Sequence, residues 1–161
     1  MESLCNTCQI NLQFKIHNIH NDVILAQTDT TIGFLSKDSI SINRKKGASL
    51  DKPLLMEVSN LSAIPYRIPV SMRNLVRHAK RTSYILPNNS SFRVVSNGLH
   101  HNFLSGFVWL YSSSANPTKS AFSMKFAKNQ SDIIVLDERG LFASKSSSIF
   151  KLGRNRIKKV R

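Results

Sequence analysis

The stretch VILAQTDTTIGF, residues 23–34, decides the reading of this chain. Val23 to Ala26 form an unbroken apolar run rich in β-formers. It is too short for a buried helix and reads as a strand covered on both faces. A polar break, QTDTT at 27–31, separates it from a second apolar run, TIGF at 31–34. In open α/β sheets, ligands bind at the carboxyl ends of strands. Three threonines and Asp29 at such an end offer hydroxyls and one carboxylate to a small polar ligand. Gly33, two residues on, permits close backbone approach.

Outward from this stretch the apolar pattern alternates in kind, as in an α/β domain. PLLMEV at 53–58, TSYILP at 82–87, SFRVV at 91–95, FVWLY at 107–111 and DIIVL at 132–136 read as strands. SIFKL and RIKKV near the end alternate like edge strands. Residues 70–80 fit a helix with Val70, Leu75 and Val76 as its apolar stripe and Arg73, Arg77 and Lys80 outward. Residues 98–105 and 120–127 read as further helices. No internal repeat or long linker divides the chain, so one domain over 1–161 is expected.

Lys and Arg number 23 against nine Asp and Glu, a net charge of +14. Between Val58 and Ser131 there is no carboxylate, and the last eleven residues, KLGRNRIKKVR, carry six cations. Such a field attracts polyanions. No apolar run approaches the roughly 18–20 residues of a membrane span. MESLCNTCQINLQFKIH lacks the pattern of a secretory signal. Two cysteines fit a reducing compartment, and a cytoplasmic protein is expected.

Cys5 and Cys8 form a single CxxC. His17 and His20 could complete a zinc set on paper, but their spacing is too tight for the usual finger. His100 and His101 are adjacent, so on a strand they would point to opposite faces and would not share a metal. No P-loop, GxGxxG or nucleophile elbow occurs. A second hydroxyl-rich cluster, SSSAN at 112–116, follows the FVWLY run. Small side chains there let backbone N–H groups and hydroxyls reach a phosphate.

In order along the chain, these segments resemble the YrdC-like threonylcarbamoyl-AMP synthases. VILAQTDTTIGF resembles the family's "YPTETVYGL", KGASLDKPLLMEV its "KxRPxxxPLIVHV", and TSYILP its "GPVTLILP". SFRVVSNGLHHNFL resembles "VRVPDHPLLRAL", WLYSSSANPTKSAF resembles "PLVATSANLSGEPP", and DIIVLDERG with SKSSSIFKL resembles "vDvvIDgG" and "pSTIVDL". The resemblance is strongest over 22–161. It implies an α/β fold, a twisted mixed sheet with a concave basic cavity. It implies synthesis of threonylcarbamoyl-AMP from L-threonine, bicarbonate and ATP, with Mg2+ accompanying ATP. The product would serve tRNA t6A37 modification, with tRNA and the t6A-transferase proteins as partners.

Carried over position by position, Thr28, Thr30 and Arg93 are the expected threonine-binding residues. Lys46, Thr82, Ser83, Ser112, Ser114, Asn116 and Ser147 (or Ser148) are the expected ATP-binding residues. No catalytic acid or base is implied, since positioning and charge stabilisation suffice. The sequence departs from the pattern at Gln27, Asp29, Ala48, Glu57, Asn97 and NPTK at 116–119. Ala48 removes a phosphate-binding Arg, for which Arg44, Lys45 or the Lys80-Arg81 pair could substitute. The alternative is a non-catalytic RNA- or nucleotide-binding module on the same fold.

Overall fold

The computed structural model describes residues 20–154 and 156–161. Cys5, Cys8 and His17 lie outside them. Among the described residues, nine strands form one mixed sheet. They are β1 (Ile24–Gln27), β2 (Ile32–Ser36), β3 (Leu55–Val58), β4 (Thr82–Ile85), β5 (Ser91–Val94), β6 (Trp109–Ser114), β7 (Ile133–Ile134), β8 (Ser148–Leu152) and β9 (Ile157–Lys159). Their spatial order is β7-β1-β2-β6-β3-β5-β4-β8-β9. The β1–β7, β3–β5 and β4–β8 pairs are parallel and the other five antiparallel. Four helices complete the fold: α1 (Ser39–Lys45), α2 (Val70–His78), α3 (Gly98–Ser105) and α4 (Met124–Gln130).

Strand alternation and register divide the side chains between two faces. On one face, Met56, Val58, Tyr84, Phe92 and Val94 pack with Val76 of α2. Leu25, Ile32 and Phe34 extend that face toward Ile42 of α1 and Ala127 of α4. The opposite face holds Ile24, Ala26, Leu35 and Leu110 under Leu104 of α3. Val23 to Ala26 are therefore buried from both sides, as the apolar run implied. Beyond α3 this second face carries Ser83, Ser91, Arg93, Ser112 and Ser114. A polar, partly open sheet surface results where the first face is an apolar core.

Several elements differ from expectation. The segment SISINRK forms α1, which the apolar pattern did not reveal. Asp38 caps it by accepting from Ile40 N at 3.0 Å and Ser41 N at 2.9 Å. Val70 and Leu75 are exposed; the inward stripe is Met72 and Val76 of α2 with Ala79 just past its end, at i, i+4 and i+7, and of these Val76 is buried and the other two partly so. Strand β6 starts at Trp109 because Val108 turns to φ 69° and breaks the extended run. Ser112 to Ser114 thus belong to the strand itself. Helix α4 starts at Met124, four residues into the expected segment, where Ser123 caps Phe126 N. Strand β8 is interior, between β4 and β9, and only β9 lies at that edge. Among the described residues, no helix is long and apolar enough to cross a membrane.

Candidate functional site

A cleft of about 420 Å³ opens on the polar half of the second face. The β1–β2 turn forms one wall with Thr28, Thr30 and Thr31, and Ser112 to Ser114 of β6 lie beside it. Ser83 and Arg93 contribute from β4 and β5, and Ser146 and Ser147 from the approach to β8. Lys52 and Arg161 complete its cations. Among the described residues, no Asp or Glu lines it.

The β1–β2 turn is fixed by its own hydroxyl. Thr28 Oγ1 donates to the Thr31 carbonyl at 2.6 Å and accepts from the N–H groups of Thr30 and Thr31, each at 3.2 Å. Arg139 binds the carbonyls of Gln27 and Thr28 from behind, at 2.9 and 3.2 Å. Gly33 lets Thr28 sit close. A Cβ at position 33 would lie 3.0 Å from Thr28 Cγ2 and 3.3 Å from the Ser113 carbonyl. Arg93 Nη1 donates to Thr30 Oγ1 at 3.0 Å, tying the turn to β5.

Beneath the cleft runs a buried charge network that the sequence reading did not assemble. Arg93 pairs with Glu57, opposite it in the β3–β5 register, and its Nη2 lies 3.2 Å from Asp29 Oδ1. His100 Nε2 donates to the other Glu57 oxygen at 2.5 Å. Burial pushes the Glu57 carboxyl up, but Arg93, His100 and the Ser112 hydroxyl overcome this and hold it at about 2. Asp29 moves the other way, raised by burial more than Arg93 lowers it. Ligand atoms of Asp29, Glu57 and His100 lie within 4.8 Å of one another. The Arg93 guanidinium already contacts both carboxylates, so this cluster carries its own cation and does not fit a metal site. The clue in the sequence was a Glu inside the buried PLLMEV run, where a charge requires a partner. His100 and His101 stand on α3, and His101 Nδ1 bonds the Val95 carbonyl at 2.7 Å.

Seven of the sequence-selected residues meet in the cleft: Thr28, Thr30, Ser83, Arg93, Ser112, Ser114 and Ser147. Ser83 and Ser147 are joined through their hydroxyls at 2.9 Å. Four residues stand outside the lining. Thr82 precedes Ser83 on β4, and alternation turns it to the other face; its hydroxyl bonds the Lys80 carbonyl at 2.8 Å. Ser148, which pairs with Thr82, is excluded in the same way, leaving Ser147 as the lining residue. Asn116 uses its amide on the carbonyls of Pro117 and Ser120, both at 2.9 Å. Lys46 is buried, and its ammonium donates to the carbonyls of Ser114 and Asn116, the latter at 2.7 Å. Burial, with help from Lys52, lowers it to about 8. Arg81 does not replace the missing charge at position 48, because its guanidinium holds the Thr30 and Lys145 carbonyls.

No protein-family profile and no curated protein matches the sequence. Solved structures do match the fold. Sua5 of P. abyssi, complexed with L-threonine, superposes with a TM-score of 0.69 at 14% identity, covering 88% of this chain and 50% of that one. Full-length HypF in its phosphate- and nucleotide-bound form gives 0.68 at 10% identity, over 88% of this chain and 27% of that one. E. coli YciO gives 0.67 at 18% identity, over 88% and 82%. The chain thus spans about half the length of Sua5 and far less of HypF. With its nine-stranded mixed sheet and four helices in this arrangement, the chain adopts the YrdC-like fold of Sua5 and YciO.

Proposed function

We propose that the chain is an L-threonylcarbamoyladenylate synthase, acting in the cytoplasm in the supply of tRNA t6A37 modification. The observation that carries this reading is the meeting of Thr28, Thr30, Ser83, Arg93, Ser112, Ser114 and Ser147 in one cleft that no Asp or Glu lines among the described residues. Support also comes from the fold shared with Sua5, a protein crystallised with L-threonine. The threonine amine would condense with bicarbonate to a carbamate, releasing water. A carbamate oxygen would then form a bond to the α-phosphorus of ATP while the bond to pyrophosphate breaks. The Thr28–Arg93 end would orient the amino acid, and the serine hydroxyls would receive the nucleotide. Such chemistry needs positioning and charge stabilisation rather than a protein acid.

Among the described residues, the cleft offers Mg2+ hydroxyls but no Asp or Glu carboxylate. The residues therefore fit a magnesium ion held chiefly by ATP phosphates and water, with Ser and Thr oxygens nearest. Bound there, it would neutralise phosphate charge.

A second reading, a nucleotide- or RNA-binding module without catalysis, is favoured by Ala48, by the engagement of Lys46 with the Ser114 and Asn116 carbonyls, and by that of the Asn116 amide within its own loop. Calorimetric titration separates the two. The synthase reading expects L-threonine to bind alone and to strengthen ATP binding. ATP binding with no response to threonine would favour the module.

A further inference from the structure

Every polyphosphate site needs cations that are not already neutralised. Among the described residues the cleft has three, Arg93, Lys52 and Arg161, and their states differ. Arg93 is committed to Glu57 and Asp29. Lys52 and Arg161 form no ion pair with any carboxylate among the described residues. Arg161 is brought over the cleft by the β8–β9 hairpin. Its main chain bonds Ile149, and its Nη2 donates to the Ser147 carbonyl at 3.2 Å. It thus stands beside the Ser83–Ser147 hydroxyl pair. Lys52 reaches the cleft from the segment leading into β3. It is close enough to Lys46 to disfavour a second positive charge there, which marks an excess of positive charge in this region. Of the others, Lys46 is held by two carbonyls, Arg81 by the β1–β2 turn and Lys45 by Asp132, position 48 is Ala, and Arg44 and Lys80 do not line the cleft.

We infer that Lys52 and Arg161 form the polyphosphate-binding pair of this cleft, taking the role that the sequence pattern assigns to Lys46 and an Arg at position 48. The inference rests on the nucleotide reading of the cleft and names its phosphate ligands. Arg161 would supply a forked donor to phosphate oxygens and Lys52 a mobile point charge. The Ser83 and Ser147 hydroxyls would complete the contacts.

The test is binding of inorganic triphosphate to the full chain, measured by calorimetry at fixed salt. Lys52→Ala and Arg161→Ala should each weaken it about tenfold or more, as loss of a charge-assisted contact predicts. Arg161→Lys should recover part of the loss. Lys128→Ala, on α4 behind the opposite face, should leave binding within about twofold, because screened long-range attraction is weak. Equal losses for all the alanine variants, or none for Lys52 and Arg161, would overturn the inference, as would failure of the wild-type chain to bind triphosphate. Both side chains are exposed, so matching melting curves will show that the fold is intact. The two readings fail separately. Lys52- and Arg161-dependent binding without product formation upholds this pair and removes the synthase. Product formation with an unchanged KM for ATP in Arg161→Ala and Lys52→Ala does the reverse.

Discussion

Glu57 and Arg93 face each other across the parallel β3–β5 pairing and form an ion pair shut off from solvent beneath the cleft. Removing one partner strands the other charge in a dry site. Glu57→Ala should lower the unfolding free energy by about 3–5 kcal/mol, whereas replacing both residues with Leu and Met should cost much less. Urea denaturation measures both. A loss within about 1 kcal/mol for the single variant would mean that water reaches Arg93.

The two carboxylates around Arg93 should titrate with opposite effects on stability. Glu57, held at about 2 against an ordinary 4.5, stabilises the fold fully above 4.5, and that contribution fades as pH falls through about 2. Asp29 is raised above 3.8, so its contribution is present below 3.8 and is lost as pH rises through its folded value. Asp29→Asn should therefore gain on the wild type as pH climbs from 3.8 toward neutrality. Denaturant midpoints across this range provide the check, and a gap that narrows with pH would contradict the assignment.

Gly33→Ala should disturb the β1–β2 turn. The new methyl would meet Thr28 Cγ2 at 3.0 Å and the Ser113 carbonyl at 3.3 Å, and β6 is fixed by pairing on both sides. A cost of about 1–3 kcal/mol follows from overpacking. The proposed amino-acid site should suffer as well, so the variant should bind L-threonine more weakly than it binds ATP. An unchanged melting temperature and threonine affinity would show that the turn tolerates the methyl.

Adjacent hydroxyls on β4 supply a comparison. Ser83→Ala should weaken ATP binding by roughly fivefold, the effect of about 1 kcal/mol for one hydrogen bond. Thr82→Ala should leave ATP binding unaltered, because Thr82 points to the other face. Equal effects would mean that strand alternation does not decide access to the ligand.

What the sequence disclosed follows from the range of each signal. The buried VILA run, the polar turn after it and the hydroxyl clusters are local signals, and the turn and clusters line one cleft in the structure. Helix α1 escaped notice because Ile40 and Ile42 alternate like strand residues; its only helical cue was Asp38 followed by Ser41. The choice between Thr82 and Ser83 depended on register, which adjacent residues alone do not specify. The Glu57–Arg93–His100 network joins β3, β5 and α3, and only the tertiary pairing brings it together. Lys46 lies at the position the resemblance assigned, yet its ammonium is turned onto the Ser114 and Asn116 carbonyls. That orientation depends on the path of a loop 68 residues further on.

The most direct test is mass-spectrometric detection of threonylcarbamoyl-AMP, with pyrophosphate release, from the purified chain supplied with ATP, Mg2+, L-threonine and bicarbonate. The synthase reading predicts both products in equal amounts, and neither when threonine or bicarbonate is omitted. Pyrophosphate release that is indifferent to threonine, or ATP binding with no threonylcarbamoyl-AMP, would contradict it.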